Sequence, residues 1–133
     1  MITWLNHIAI AVPDLAKAAA QYELLGARVS EPQDSLERGL TMIVVSFPNS
    51  KIELLHPLGD TSPIAEYLKE NPRGGIHHLC FEVENIDATW RALRQADCRI
   101  LGDGDLKTGT RGKPTIMVHP DDFQGALLEF EQM

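Results

Sequence analysis

Bulky apolar residues alternate with small or polar ones along residues 5–12, LNHIAIAV, and again along residues 74–83, GGIHHLCFEV. A period of two marks a strand with one face buried under another layer. In the first stretch Ile8, Ile10 and Val12 share the bulky face, opposite His7, Ala9 and Ala11. In the second, Leu79, Phe81 and Val83 oppose His78, Cys80 and Glu82. Each stretch then changes period. VPDLAKAAAQYELLG (12–26) carries Asp14 as an N-cap, an alanine-rich body and Gly26 just past the end. VENIDATWRALRQAD (83–97) carries Asn85 in the same capping place, with Ile86, Trp90, Leu93 and Ala96 at helical spacing. Short strands follow in ARVSE and CRILG, then a polar loop, then two apolar runs. Those runs are 40–47 with 51–57 in the first half, and 114–120 with 125–132 in the second. Asn49-Ser50 and DDFQG supply the turns between them.

The two halves are copies of one unit. Residues 7–29 lie over 78–100 without a gap, at an offset of 78 − 7 = 71. His7 then falls on His78, Ile10 on Phe81, Leu15 on Ile86 and Arg28 on Arg99. The last strands superpose at 129 − 53 = 76, which places Glu53 on Glu129. The sequence therefore predicts an α+β fold of paired βαβββ modules with pseudo-twofold symmetry. The modules span about 4–58 and 75–132 of a single domain, 1–133, joined by a linker (59–74) with a short helix near 64–70.

Composition narrows the class. With 44% apolar and 23% charged residues, 133 residues suffice for a packed core without disulfide or metal staples. No apolar run approaches the roughly 20 residues of a membrane helix. No secretory signal is recognised at the N-terminus, and two cysteines make no disulfide framework, so a cytoplasmic protein is expected. A net charge of −7 disfavours nucleic acid as a partner.

The duplication gives the histidines a meaning. Twofold packing of the halves would gather His7, His78, Glu53 and Glu129 near the axis, on faces lined by small or polar residues. Two imidazoles and two carboxylates suit a divalent metal. With four protein ligands, open positions remain only at a five- or six-coordinate ion. That favours an octahedral ion such as Co²⁺, Mn²⁺, Fe²⁺ or Ni²⁺ over a closed tetrahedral Zn²⁺ site, and ligand chemistry alone does not choose among them. His77 faces away from His78 and reads as structural. His56 and His119 each precede a proline at a strand end and read as turn residues. Cys80 reads as a small filler and Glu82 as a solvated carboxylate. LKTGTRGKP offers Lys107, Arg111 and Lys113 among glycines, which is either an anion site or an ordinary basic hairpin.

Paired βαβββ halves with His…Glu…His…Glu resemble the vicinal oxygen chelate, or glyoxalase-like, superfamily. Within it, HIAIAVPDL, IELLHPLGDTSPIAEYL, GGIHHLCFEVENI, RGKPTIMVHP and GALLEFEQ resemble the methylmalonyl-CoA epimerase family. The resemblance implies a metal-dependent epimerase, usually a homodimer, that interconverts (2R)- and (2S)-methylmalonyl-CoA through a metal-stabilised enolate. It implies His7, His78 and Glu129 as ligands, with Glu53 where a fourth ligand is found. Glu129 and Glu53 are then the candidate bases, and Lys107, Arg111 and Lys113 the candidates for the CoA phosphates. A mitochondrial matrix location is the alternative to cytoplasm for a processed chain. There are two departures. Met42 stands where some members carry a glutamate base, and HPDDFQG replaces a lysine- and glycine-bearing turn. The rivals are a glyoxalase-type lyase, an Fe(II) ring-cleaving dioxygenase, and a metal-free binding module. His7→Ala and His78→Ala should each abolish bound metal while His77→Ala retains it, as measured by metal content after gel filtration. Loss with His77→Ala instead would shift the strand register by one residue.

Overall fold

The computed structural model describes residues 1–133. In order, it forms β1 (Ile2–Ala11), α1 (Leu15–Leu24), β2 (Arg28–Val29), β3 (Gln33–Ser35), β4 (Leu40–Phe47), β5 (Ser50–Pro57) and α2 (Pro63–Glu70). There follow β6 (Gly75–Val83), α3 (Ile86–Gln95), β7 (Lys107–Thr108), β8 (Pro114–Val118) and β9 (Leu128–Gln132). The chain divides into two compact units, His7–His77 and Met1–Asn6 with His78–Met133. The division cuts both β1 and β6. The start of β1 belongs with the second half of the chain, and the linker with α2 belongs to the first.

In the His7–His77 unit the strand order is β2-β4-β5-β1, with β3 also pairing β4. β5 runs antiparallel to β4 and parallel to β1, and aligns Glu53 with Ala9. Asp14 caps α1 by accepting from the Lys17 N–H at 3.0 Å. The bulky face packs beneath α1, where Ala18 and Ala19 lie against Val12, Ile43, Val45 and Leu54. The alanines bring the helix close enough to bury Val45 and Leu54 completely. On the other face Ala9, Ala11, Leu40, Met42 and Leu55 pack with Ile64 of α2. α2 starts at Pro63 behind Ser62, whose hydroxyl accepts from the Ala65 N–H at 3.0 Å.

In the second unit the order is β6-β9-β8-β7, and the start of β1 runs along the end of β6. The Glu84 N–H donates to the Met1 carbonyl at 3.2 Å, and the Thr3 hydroxyl to the Glu82 carbonyl at 3.1 Å. β6 and β9 are parallel and align Cys80 with Glu129. The two parallel pairs are copies: Ala9 maps to Cys80 (80 − 9 = 71) and Glu53 to Glu129 (129 − 53 = 76). Asn85 caps α3 through the Ala88 N–H at 3.0 Å. Val83, Ile86, Leu93, Ile116, Val118 and Phe130 form the core beneath α3.

Two segments depart from the sequence expectation. CRILG contributes only an isolated bridge, Ile100 to Val118, rather than a strand. The Arg99 N–H, needed for a longer ladder, goes instead to Asp122 at 2.7 Å. That bond and the Arg99 guanidinium hold the Asp122 carboxyl below its ordinary range. DDFQG is not a tight hairpin. A 3₁₀ turn, Pro120–Phe123, is capped by His119 Nδ1 and closed by Gln124 and Gly125 at φ 52° and 89°, so β9 begins only at Leu128.

At Gly74 a side chain has neither the backbone conformation nor the space it needs. Gly74 sits at φ +85°, and a Cβ there would collide with the Ala11 carbonyl oxygen and lie 3.2 Å from Pro13 Cδ. Gly26 has a similar φ of +88° but open space around it. Gly26→Ala should therefore cost about 1 kcal/mol of backbone strain. Gly74→Ala should cost about 2 kcal/mol or more, since the collision adds to the strain. Urea midpoints of the two variants measure the difference.

Candidate active site

The faces turned away from α1 and α3 carry the polar chemistry. In the first unit, His7 and Glu53 are 1% and 3% exposed, with His7 Nε2 3.3 Å from Glu53 Oε1. The pair forms because Glu53 aligns with Ala9, two residues beyond His7 on the same face. Val44 lies on the other side of Glu53, and Met42 beside Leu55, so the carboxylate is bounded by apolar groups.

The second unit repeats the arrangement. His78 and Glu129 are 6% and 3% exposed, and their ligand atoms lie within 4.8 Å of one another. Cys80, aligned with Glu129, is fully buried. Burial, followed by the nearby Glu129 and Glu131 carboxylates, pushes its thiol well above its ordinary pKa, so Cys80 is a neutral group here. Glu131 continues the same face, 1% exposed, and takes the Arg111 guanidinium in a two-pronged ion pair of 3.0 and 2.8 Å. Met117 and Thr115 complete this face from β8, opposite Glu129 and Glu131.

The other singled-out residues fall elsewhere. His77 packs edge-on against Tyr67 at 5.2 Å, and burial lowers its pKa. His56 Nδ1 lies 2.9 Å from the Val12 carbonyl, tying β5 to the end of β1. Glu82, expected to be solvated, accepts from the Asn6 amide at 3.2 Å. Of the three basic candidates in the β7–β8 hairpin, Lys113 is exposed and Lys107 pairs with Asp103 at 2.8 Å on the surface. Arg111 turns inward to Glu131. Sequence reasoning missed Glu131. The signal was its place two residues beyond Glu129, hence on the same face of β9.

Each unit thus buries an imidazole next to a carboxylate, a donor set that accepts a divalent cation. Burial of these groups is costly unless charge is compensated, which a cation would do.

Residues 6–115 match the model of the Glyoxalase/Bleomycin resistance protein/Dioxygenase superfamily. The chain is 57% identical to the ethylmalonyl-CoA/methylmalonyl-CoA epimerase of Cereibacter sphaeroides, covering all of both chains. It belongs to the methylmalonyl-CoA epimerase family. A solved methylmalonyl-CoA epimerase from Mycobacterium tuberculosis superposes with a TM-score of 0.88 at 30% identity, covering 98% of this chain and 88% of that one. Another, in complex with methylmalonyl-CoA and NH₄⁺, superposes at 0.89 with 27% identity, over 99% of this chain and 95% of that one. The family is a family of isomerases, and the paired βαβββ fold of the superfamily is the one described above.

Proposed function

We propose that the chain is a metal-dependent epimerase of (2R)- and (2S)-methylmalonyl-CoA, with one divalent ion held jointly by His7, Glu53, His78 and Glu129. The observation that carries this reading is the equivalence of two buried imidazole–carboxylate pairs in matching strand registers. A divalent ion bound there would supply Lewis-acid stabilisation of the negative charge that builds on the substrate oxygens. Co²⁺ or Mn²⁺ suits the oxygen- and nitrogen-rich donor set with positions left for substrate.

The chemistry left to the chain is proton transfer at one carbon. The α-carbon lies between a thioester carbonyl and a carboxylate, so removal of its proton leaves an enolate. Inversion requires a group on each side of that carbon, one to take the proton and one to return it. Glu129 and Glu53 would fill these two roles, one of them loosely held by the ion or acting through a water, since a metal-bound carboxylate is a weaker base. They come from different halves of the duplication. His7, 3.3 Å from Glu53, fixes the orientation of that carboxylate. Met42 is a buried apolar residue and transfers no proton, which leaves Glu53 as the acid–base group of its unit. Low exposure of all four groups excludes water that would screen the developing charge.

Ala9 and Val44, on either side of Glu53, give an apolar wall for the α-alkyl branch. A methyl or an ethyl group fits that chemistry, in keeping with the two substrates for which the Cereibacter sphaeroides relative is named. Lys113, exposed, is the first cation we assign to the CoA phosphates, with Lys107 available on release of its surface pair with Asp103, since Arg111 is held by the buried Glu131. Two copies of the chain would associate through the exposed apolar Ile2 and Trp4 at the start of β1. No helix is long and apolar enough to cross a membrane. Two free thiols suit the reducing cytoplasm.

Incubation of metal-stripped protein with methylmalonyl-CoA in D₂O, followed by Co²⁺ or Mn²⁺, tests the proposal. Metal-dependent deuterium uptake at the α-carbon, with loss of chirality, is expected. No exchange with any ion in folded, metallated protein would overturn it and leave the lyase and dioxygenase chemistries to be assayed.

A further inference from the structure

From Glu53 toward the β4–β5 turn, the site face of the His7–His77 unit becomes basic. Val29, Val45 and Ile52 pack beneath α1, so their neighbours Arg28, Ser46 and Lys51 take the opposite face of the sheet, the one that carries Glu53. The strand registers set these three in one row, Arg28 beside Ser46 and Ser46 beside Lys51. The next row along holds Val44 and Glu53. Lys51 is therefore two residues, about 7 Å, from Glu53, and Arg28 lies two strands across, about 12 Å from Glu53 at the backbone.

This face is graded along its length. On β4, Met42 is buried in the cluster that includes Ile64 of α2, Val44 is half-buried, and Ser46 is exposed. At the exposed end lies a cleft of about 720 Å³, lined in part by Arg28, Ser46, Leu25 and Phe47. The row lacks partners of its own. Lys69, Arg99, Lys107 and Arg111 each have an acidic partner, whereas the side chains of Arg28, Ser46 and Lys51 have neither an ion pair nor a hydrogen bond. Asp34, on the neighbouring β3, is turned to the Thr41 hydroxyl at 2.7 Å. Two cations about 10 Å apart at the backbone, with a hydroxyl between them, leave room for one phosphate group that all three can reach. In a chain of net charge −7, an anion is held best where cations gather with no acid among them.

We propose that Arg28, Ser46 and Lys51 form a phosphate-binding subsite for the carrier arm of the thioester substrate. This rests on the acyl-CoA reading of the site. An acyl-CoA carries its phosphates in two groups, a diphosphate next to the pantetheine and a ribose monophosphate beyond it. A pantetheine arm running from the Glu53 row to the exposed end of the face brings the diphosphate to this row. The acyl head is then enclosed at the apolar end while the anionic tail leaves toward solvent. The hairpin lysines are left for the ribose phosphate.

Steady-state kinetics of the metallated protein on methylmalonyl-CoA, its 3′-dephospho form and methylmalonyl-pantetheine test this. In Arg28→Gln and in Lys51→Gln, KM for both CoA forms should rise about threefold, the scale of an exposed charge pair. In the double variant it should rise about tenfold, with the loss confined to KM. KM for the pantetheine ester, which carries no phosphate, should not follow, and Arg28→Lys should recover most of the loss seen in Arg28→Gln. An equal rise with the pantetheine ester would mean that the row braces the fold, and would overturn the proposal. A rise confined to methylmalonyl-CoA would move the row to the ribose phosphate and overturn the assignment to the diphosphate. Unchanged KM values in the double variant would reduce the row to solvated surface charge. A wild-type chain that turns over none of the three thioesters would instead overturn the epimerase reading, and this proposal with it.

Discussion

Burying an imidazole against a carboxylate at 1% and 3% exposure is the constraint around which the rest of this chain is arranged. Neither group is comfortable away from water unless it is paired, and a 3.3 Å contact satisfies only part of their hydrogen-bonding capacity. Three features follow. Beyond His7 the histidine face of β1 carries only Ala9 and Ala11, so that a side chain from the neighbouring strand can reach across. Hydrophobic burial is carried by the opposite faces, under α1 and α3. The parallel pairing of first and last strands in each half sets the carboxylate beside the residue two beyond the histidine. A shift of one residue would turn the carboxylate into the helix-facing core.

The halves repeat this frame but dress it differently. Around Glu53 the face is apolar, with Ala9, Val44, Leu55 and Met42, and α2 packs over one end of it. Around Glu129 the face is polar and charged, with Cys80, Thr115, Glu131 and Arg111. This division places the Arg111–Glu131 pair in one half. Duplication supplied two equivalent imidazole–carboxylate pairs, and divergence of the neighbouring residues gave them unequal surroundings.

Local and repeated signals were readable from sequence. The caps Asp14 and Asn85 stand where their spacing put them, β4 spans 40–47 as its apolar run indicated, and the offsets of 71 and 76 reappear as matching registers. What escaped depends on side chains distant in sequence. CRILG looks like a strand until Asp122 captures the Arg99 N–H from 23 residues away. DDFQG looks like a tight turn until His119 caps a 3₁₀ segment there. Arg111 looks like a surface cation in a glycine-rich loop, because nothing in its neighbourhood announces a partner 20 residues later. Even the unit boundary at His7 and His78 was hidden, since β1 and β6 each read as one strand yet contribute residues to both units.

The account depends most on one ion being shared by both halves of the duplication. Anomalous scattering at the cobalt edge from crystals grown with Co²⁺ tests this directly. A single strong peak per chain is expected, within bonding distance of nitrogen from both His7 and His78 and oxygen from Glu129, with Glu53 completing the protein ligands. A peak confined to the groups of one half, or seated on Cys80 and Glu131 instead, would contradict it.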